Sequence, residues 1–297
     1  IMTKRVVVFH HDDNDGCCAA WVVKHYFDLV QENVEVITVP VQYSQNPPVH
    51  MLTEDTILYI VDFSYKRDVL LGLQKMVKEI HVFDHHATAE AELSDLPFAK
   101  FSKNKAGAGM TWDILFNKEP APYMVQLVDD YDLWKFTLKD TEAFHAISTL
   151  HNTRSMEFWY NLFLYPNVLQ EILAKGHEKL YFENIEIDDI VNGDKIKFGK
   201  FTSPGKEYKV AIYQTTHNLS KIGNRLLKKH PEIDFTICWF ITPNDGKIVF
   251  SLRCDDTRDL DLGKDIAKEL GGGGHKNAAG FTLPISAGLS FVDMLYA

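Results

Sequence analysis

The sequence contains little cysteine and no long apolar run. None of its four cysteines forms a CxxC pair, and two of them are adjacent, which excludes a disulfide framework and a zinc knot. We interpret Cys17, Cys18, Cys238 and Cys254 as reduced, buried and apolar in character. No apolar stretch reaches the length that crosses a membrane, and the first residues hold too few apolar positions for a signal peptide. We therefore expect a soluble, cytoplasmic protein that does not associate with membranes.

Basic residues are also scarce relative to acidic ones. The chain has 31 Lys and Arg against 41 Asp and Glu, a net charge of −10. Affinity for long nucleic acid comes largely from phosphates neutralised by Lys and Arg, so this balance argues against long duplex nucleic acid as a partner. A bound divalent cation would reverse the sign of the charge at an active site. The charge balance therefore limits the length of a nucleic-acid substrate and leaves the chemistry open.

Apolar runs alternate with helical patterns in the N-terminal half. The strand-like runs are RVVVF, VEVITV, ILYIVDF and IHVFDHH, and the helical patterns between them include CAAWVVKHYFDLV and VLLGLQKMVKE. Such alternation predicts a parallel sheet flanked by helices, which is an α/β fold. Further helical patterns cover 108–116, 123–131 and 158–184, where Pro166 marks a break.

A second α/β pattern follows a polar, turn-rich stretch at 187–199. It contains the strand-like runs YKVAIYQ, FTICWFI and KIVFSLR, the helical pattern NLSKIGNRLLKKH and a run of glycines. With 297 residues, 45% of them hydrophobic, the chain can bury two ordinary cores. We predict a catalytic domain at 1–186, a linker region at 187–199 and a smaller α/β domain at 200–297.

The first candidate site is the segment FHHDDNDG, which lies between an apolar strand and a helix. In an extended segment, side chains two residues apart point to the same side, so His11, Asp13 and Asp15 can converge on one cation. An EF-hand would need an acid at His11 and a glutamate at Val22, which excludes a calcium loop of that type. The alternative interpretation is a helix N-terminal cap with solvated acids.

Two further strands end in potential ligands. ILYIV runs into Asp62, and EIHVF runs into Asp84, His85 and His86. A single Asp after a strand is usually a cap or a turn residue. The carboxyl ends of neighbouring parallel strands, however, meet in one crevice, where ligands of open α/β sheets bind. Mixed Asp and His ligands in this number favour two octahedral ions such as Mn²⁺, bridged by one carboxylate.

A fourth acidic cluster, Asp129, Asp130 and Asp132, closes the apolar helical pattern APYMVQLV. Acids at a helix C-terminus oppose the helix dipole and need a compensating partner, which a metal ion would supply. A purely structural role is equally consistent with this cluster.

The glycine run near the C-terminus is a candidate anion site. Glycines let backbone N–H groups approach a phosphate closely, and neighbouring basic side chains add donors. Glycine runs also occur in linkers, but the ordered patterns on both sides argue against a linker here. Arg253, at the end of a strand-like run, offers bidentate phosphate binding, although an Arg there is by default a surface residue. The candidates are Gly272, Gly273, Gly274, His275, Lys276 and Arg253.

These motifs in this order resemble the DHH phosphoesterase superfamily with its type 1 DHH-associated C-terminal domain. The resemblance spans nearly the whole chain and is carried by FHHDDNDG, the Asp62 strand end, VFDHH, DDYDLW, SLR and GGGGHKNAAGF. The superfamily includes RecJ-like exonucleases, nanoRNases and cyclic-dinucleotide phosphodiesterases, as well as inorganic pyrophosphatases that have a different C-terminal domain. The resemblance implies a parallel-sheet catalytic domain, a smaller α/β substrate-binding domain and an active site in the cleft between them.

The resemblance also implies a ligand set for two Mn²⁺ ions, with Mg²⁺ as the alternative. One ion would be held by a histidine of the first motif with Asp13 and Asp62. The ligands of the other ion would be Asp15, Asp62, His85 and Asp130, which makes Asp62 the bridge.

Phe9 stands where many members of the superfamily have the first histidine. Because Phe cannot ligate a metal, a neighbouring histidine must replace it, or one ion loses a ligand. His11 shares the side-chain parity of Asp13 and Asp15, whereas His10 matches a subgroup in which the histidine follows an aromatic residue. Both His10 and His11 therefore remain candidates.

The resemblance implies a function and roles for the remaining residues. Asp84 would orient a neighbouring histidine, His86 would face the substrate phosphate, and Arg253 would neutralise it. We expect an enzyme that hydrolyses short oligonucleotides or linear dinucleotides to mononucleotides with metal-activated water, and a homodimer is compatible with this. The alternatives are a cyclic-dinucleotide phosphodiesterase, a polyphosphate- or pyrophosphate-type hydrolase, and a non-catalytic nucleotide or metal sensor.

Overall fold

The computed structural model describes residues 4–30, 33–43, 45–203, 205–242 and 244–296. The chain divides into two units, Ile1–Leu180 and Tyr181–Ala297. The division falls inside a long helix, and each unit has its own sheet.

The first unit alternates strands and helices in its first half and is helical in its second half. Its described strands form a parallel sheet in the order β2-β1-β3-β4-β5, which confirms the predicted α/β fold. The elements are β1 (Lys4–His11), α1 (Asn14–Val30), β2 (Val34–Val41), β3 (Ile57–Val61), α2 (Arg67–Gln74), β4 (Glu79–Asp84), α3 (Ala87–Leu93), β5 (Ala99–Phe101), α4 (Gly107–Leu115), α5 (Tyr123–Asp132), α6 (Thr141–Ser148), α7 (Met156–Leu164) and α8 (Pro166–Asn192).

Helices cover both faces of this sheet, which explains the uninterrupted apolar run in β1. Val6 and Val8 pack into a core that includes residues of α1, α4 and α5. Val7 and Phe9 point to the opposite face and pack into a core with residues of α2 and α3. A strand buried on both faces has no polar alternation, as is typical of parallel sheets.

The strand order positions the candidate ligands. β1 lies between β2 and β3, so the chain leaves β1 to one side for β2 and returns to the other side for β3. In open α/β sheets, ligands bind at the carboxyl ends of the strands where the order reverses in this way. The segments after β1 and β3 meet at this point, and β4 lies next to β3.

The second unit has a mixed sheet in the order β10-β11-β9-β8-β7-β6. β7 and β8 pair in parallel, whereas the other described neighbours are antiparallel. Helix α9 packs on β8 and β9, and α10 packs on β6. The elements are β6 (Lys197–Ser203), β7 (Lys206–Gln214), α9 (Leu219–Lys229), β8 (Phe235–Thr242), β9 (Lys247–Cys254), a short π-helical turn (Leu262–Ala267), β10 (Gly273–Gly274), β11 (Ala278–Pro284) and α10 (Ile285–Tyr296).

The stretch 187–199, predicted as a linker region, belongs to the second unit. Helix α8 continues through it to Asn192, and Ile187, Val191 and Ile196 are buried in a core with residues of α9. The polar residues of this stretch lie between apolar positions spaced four or five apart, which is an amphipathic pattern rather than a linker. Pro166 is the first residue of α8, where a proline is tolerated because the N–H it lacks has no helical partner there.

Two expectations from composition can be compared with this fold. The four cysteines are free and buried, as predicted. Among the described helices, none is both long enough and apolar enough to cross a membrane.

Candidate metal centre

Three neighbouring strands deliver acidic and histidine side chains to one edge of the first sheet. His11 ends β1, and Asp13 and Asp15 follow it around the start of α1. Asp62 comes directly after β3, and His85 comes directly after β4. The structure thus brings together the three motifs that the sequence places at the ends of separate strands.

The first group of potential ligands consists of His11, Asp13 and Asp62. Their donor atoms all lie within 4.8 Å of one another. Nδ1 of His11 is 2.6 Å from Oδ2 of Asp13 and 3.8 Å from Oδ2 of Asp62. The hydrogen bond to Asp13 raises the pKa of His11.

The second group is centred on His85, whose donor atoms lie within 4.8 Å of those of Asp15 and Asp132 and also of those of Asp62 and His86. Its Nε2 atom is 3.1 Å from Oδ1 of Asp62, 3.3 Å from Oδ2 of Asp132 and 3.8 Å from Oδ2 of Asp15. Asp62 therefore directs one carboxylate oxygen towards each group. This is the arrangement that a carboxylate needs in order to bridge two cations.

The carboxylates of Asp15 and Asp62 are buried close to other acidic side chains. Burial raises the pKa of Asp15 and Asp62 well above its usual value, and repulsion from neighbouring aspartates raises it further. Burial also raises the pKa of Asp132. Within the described residues, Oδ2 of Asp62 is buried and has no hydrogen-bond partner, which is costly for a carboxylate. Divalent cations would satisfy these oxygens, so the residues present fit a metal centre.

The N-terminus of α4 holds Asp15 in place. The carboxylate of Asp15 accepts hydrogen bonds from the backbone N–H groups of Gly107 (2.6 Å) and Ala108 (2.8 Å). A Cβ atom at position 107 would lie 2.4 Å from Cβ of Asp62, so this position requires glycine. The sequence analysis missed this support, although the small-residue run at 106–109 before a helical pattern is a signal of close approach.

Asp62 adopts a backbone conformation that is rare for residues other than glycine. Its φ angle is 55°, in the left-handed region. Such a conformation costs on the order of 1 kcal/mol for an aspartate, and strain of this kind concentrates at functional sites. The turn places the Asp62 carboxylate at the edge of the sheet between the two groups.

Asp84 fixes the second histidine after β4. Its fully buried carboxylate accepts hydrogen bonds from the hydroxyl of Ser64 (2.6 Å) and the backbone N–H of His85 (2.8 Å), and Nδ1 of His86 lies 2.6 Å from it. Burial opposes ionisation of Asp84, but the contacts with His86 and Ser64 outweigh it and lower the pKa. Asp84 thus orients His86, and Ser64 is a supporting residue that the sequence analysis did not identify.

Asp130, which we predicted as a metal ligand, lies outside both groups of described residues, whereas Asp132 belongs to the second. The Asp130 carboxylate accepts hydrogen bonds from the hydroxyls of Thr137 and Thr141 and from the backbone of Leu138. These contacts outweigh the effect of burial and lower the pKa of Asp130. The Asp130 carboxylate thus stabilises the loop after α5. Asp132, two residues further along the chain, lies 3.3 Å from Nε2 of His85.

The structure distinguishes the two histidine candidates of the first motif. His10 is buried, with Nδ1 2.8 Å from the carbonyl oxygen of His11, and burial lowers its pKa. It belongs to neither ligand group among the described residues, whereas His11 belongs to the first. Phe9 is fully buried in the core below, so among the described residues His11 is the first-motif histidine that could supply an imidazole ligand.

The candidate anion-binding residues lie together in the second unit. Arg253 on β9 pairs with Ala278 on β11, next to the turn that carries His275 and Lys276. Its guanidinium donates to Ser251 Oγ, Ser220 Oγ and the carbonyl oxygen of Leu252. His275 and Lys276 are exposed.

Packing and backbone conformation require glycine at two positions of the glycine run. A Cβ at Gly272 would lie 2.1 Å from the carbonyl oxygen of Gly280, and Gly274 has φ 142°. Gly273 would meet nothing within 4 Å if it carried a Cβ. Close contacts and backbone conformation therefore explain why positions 272 and 274 are glycine. They do not explain the glycine at position 273.

Comparisons with known proteins agree with this architecture. Residues 208–296 match the DHHA1 domain. An uncharacterised protein of Acanthamoeba polyphaga mimivirus is 27% identical over 93% of this chain, and oligoribonuclease NrnB of Bacillus subtilis is 21% identical over 93%. The chain spans 66% and 72% of the lengths of these two proteins.

Solved structures share the fold of nearly the whole chain. The pGpG-specific phosphodiesterase PggH of Vibrio cholerae superposes with a TM-score of 0.55 at 17% identity, covering 98% of this chain and 97% of that one. RecJ of Thermus thermophilus in complex with Mn²⁺ superposes with a TM-score of 0.58 at 15% identity, covering 99% of this chain and 52% of that one.

Proposed function

We propose that this chain, whose residues 208–296 match the DHHA1 domain, is a Mn²⁺-dependent phosphoesterase of the DHH superfamily that hydrolyses short oligonucleotides or linear dinucleotides to mononucleotides. The observation that carries the proposal is the position of Asp62. It is buried, its Oδ2 atom lacks a hydrogen-bond partner among the described residues, and its two oxygens face two separate ligand groups.

The ligand groups and the relatives together support the choice of metal. Carboxylate-rich sites that also contain imidazole suit Mn²⁺, with Mg²⁺ as the alternative. One of the structural neighbours is a RecJ bound to manganese. His11, Asp13 and Asp62 would hold one ion, and the second would take Asp62 together with Asp15, His85 and Asp132.

The division of chemical roles follows from the contacts of each residue. When bound, the cations would lower the pKa of a water molecule and neutralise charge on the phosphate. Asp84 accepts a hydrogen bond from Nδ1 of His86, which leaves Nε2 of this ring to face the substrate, where it would donate to a phosphate oxygen when the ring is protonated. Arg253 would form a charge-assisted hydrogen bond with the substrate phosphate.

Two observations support a short substrate. The net charge of −10 leaves little basic surface for a long strand. NrnB is an oligoribonuclease and PggH acts on pGpG, both of which are consistent with a short nucleic-acid substrate here.

A substrate panel with Mn²⁺ tests the proposal. The panel contains pApA, pGpG, cyclic dinucleotides, 3′-phosphoadenosine phosphate, longer single strands and polyphosphate, with products separated by chromatography. We expect mononucleotides from pApA and pGpG, no reaction with polyphosphate, and complete loss of activity in excess chelator. Full activity in chelator would exclude metal dependence, and a preference for long strands would contradict the short substrate.

A further inference from the structure

A cavity of about 440 Å³ lies beside the ligand groups within the first unit. The start of α1, helices α5 and α6 and the loop after α6 form its walls. Three of its lining residues, Asp13, Asp15 and Asp132, are also members of the ligand groups. A molecule in this cavity would therefore contact the candidate metal centre directly.

Part of the lining of the cavity is apolar and aromatic. Leu127, Val128 and Phe144 contribute apolar surface. Tyr131 and His145 stack on each other, with ring centroids 3.5 Å apart and planes 6° from parallel. This stacked aromatic pair is part of the lining of the cavity.

Polar groups line the cavity next to this surface. Asn14, Thr149 and Thr153 offer an amide and two hydroxyls, and Asn14 is held by a 2.6 Å hydrogen bond to Ser148 Oγ. Small-molecule sites typically have volumes of about 300–1,000 Å³, mostly apolar walls and a few polar groups that fix orientation. The cavity has all three properties.

The charges around the cavity restrict what it can bind. Asp13, Asp15 and Asp132 would repel an anion that lay in the cavity away from bound cations. Asp12 also lines it, but Arg154 pairs with this carboxylate through two hydrogen bonds. A phosphate therefore belongs at the ligand groups, and the cavity favours a neutral, flat group with polar edges.

We propose that this cavity binds the nucleoside attached to the scissile phosphate. The inference rests on the proposed function and deepens it by assigning recognition of the base to the metal-binding unit itself. A base that stacks on an aromatic side chain gains about 10- to 100-fold in affinity. A substrate without bases, such as polyphosphate, would gain nothing from the cavity.

A cavity-filling substitution combined with a base-free substrate tests the inference. Thr149 is exposed and lines the cavity, so Thr149→Trp fills the space from its rim without disturbing the core. Leu150→Trp is the matched control, because Leu150 is exposed next to it and does not line the cavity. The substrates are pdApdA and the corresponding dinucleotide in which both bases are absent.

We expect Thr149→Trp to lower kcat/KM for pdApdA by about 10- to 100-fold and to change kcat/KM for the abasic dinucleotide by less than about threefold. Leu150→Trp should affect neither substrate. Equal losses on both substrates would mean that the substitution acts on the metal groups, and unchanged kinetics on both would mean that the cavity is not used. Either result overturns the inference while leaving the proposed hydrolysis intact.

Binding of adenosine 5′-monophosphate in the presence of Mn²⁺, measured by calorimetry, tests the cavity without turnover. Thr149→Trp should weaken this binding by at least about 10-fold, and Leu150→Trp should not. If the wild-type protein hydrolyses neither dinucleotide, the proposed function fails, and the nucleotide titration still decides on the cavity. Equal affinities for the wild type and Thr149→Trp would overturn the inference.

Discussion

The first unit gathers buried carboxylates, whereas the second presents a guanidinium, basic side chains and glycine amides. In the first unit, Asp15 and Asp62 are buried among other acids, and bound cations would relieve the repulsion between these carboxylates. In the second unit, His275 and Lys276 are exposed next to Arg253. The contrast is consistent with our proposal that the first unit holds metal ions and the second recognises an anionic substrate.

The two units also differ in how firmly their functional residues are held. Asp15 is fixed by the start of α4, and Asp84 is fixed by Ser64 and by backbone N–H groups. The glycine turn of the second unit lies on the surface, with backbone pairing as its main support. Buried, hydrogen-bonded ligands suit a site that requires fixed geometry, and a surface turn suits a site that adapts to a ligand.

The largest effect that separates the two units should come from Asp62→Asn. Loss of the carboxylate shared by both ligand groups removes several kcal/mol of transition-state stabilisation, so kcat/KM for pApA should fall by at least about 10³-fold. Asn is preferable to Ala here because it tolerates the left-handed conformation of position 62. Steady-state kinetics at saturating Mn²⁺ provide the measurement.

The matched control for this substitution is Asp55→Asn. Asp55 is exposed and precedes the same strand at its opposite end, so its removal should leave kcat/KM unchanged. Near-normal turnover of Asp62→Asn would contradict the bridging role.

A smaller effect is expected from Arg253→Ala in the second unit. Loss of one charge-assisted phosphate contact should lower kcat/KM by about 10²-fold. The metal content of the purified protein should stay at the wild-type value, because Arg253 belongs to neither ligand group. Arg253→Lys should recover part of the activity, since it keeps the charge but loses the bidentate geometry.

Arg225→Ala serves as the control for this variant, because Arg225 pairs with Asp188 elsewhere in the second unit. An equal fall in kcat and kcat/KM for Arg253→Ala would place the guanidinium contact in the transition state. Loss of bound metal in that variant would refute the division of labour between the units.

Much of this fold could be predicted because β1 and β3 contain apolar runs that are buried on both faces and have no polar alternation. The convergence of His11, Asp13, Asp62 and His85 followed from the rule that the carboxyl ends of parallel strands meet. The sequence could not indicate that Asp132 rather than Asp130 lies beside His85, since both lie in the last turn of α5. Which of them reaches His85 depends on how that helix packs against α4 and α6.

The sequence also does not show which elements pack together, and for this reason the linker prediction was wrong and the cavity was not predicted. The acids at 183–194 give the end of α8 a polar composition, yet the apolar positions there pack against residues of α9 and β7. The cavity combines α1, α5 and α6, which are far apart in the sequence. A sequence pattern indicates that a helix has an apolar face but does not identify its neighbours.

The smallest expected effect, and the most direct test of the metal centre, is a change in the thermal stability of the metal-free protein with pH. Burial raises the pKa of Asp15, Asp62 and Asp132 above the unfolded value of about 4, so each of these carboxyls keeps its proton to a higher pH in the metal-free folded state than in the unfolded state. These carboxyls therefore stabilise the fold most at low pH, and their contribution is lost as pH rises. Bound cations should offset that loss.

The decisive measurement is the Tm of the chelated protein with and without saturating Mn²⁺ at pH 5.5 and pH 7.5. We expect Mn²⁺ to raise the Tm by about 5–10 °C at pH 7.5, the shift for a ligand near 100 times its Kd, and by clearly less at pH 5.5. In Asp62→Asn the increase at pH 7.5 should be reduced to a small part of the wild-type value. A wild-type Tm at pH 7.5 that does not respond to Mn²⁺ would contradict the assignment of these buried carboxylates as a metal centre.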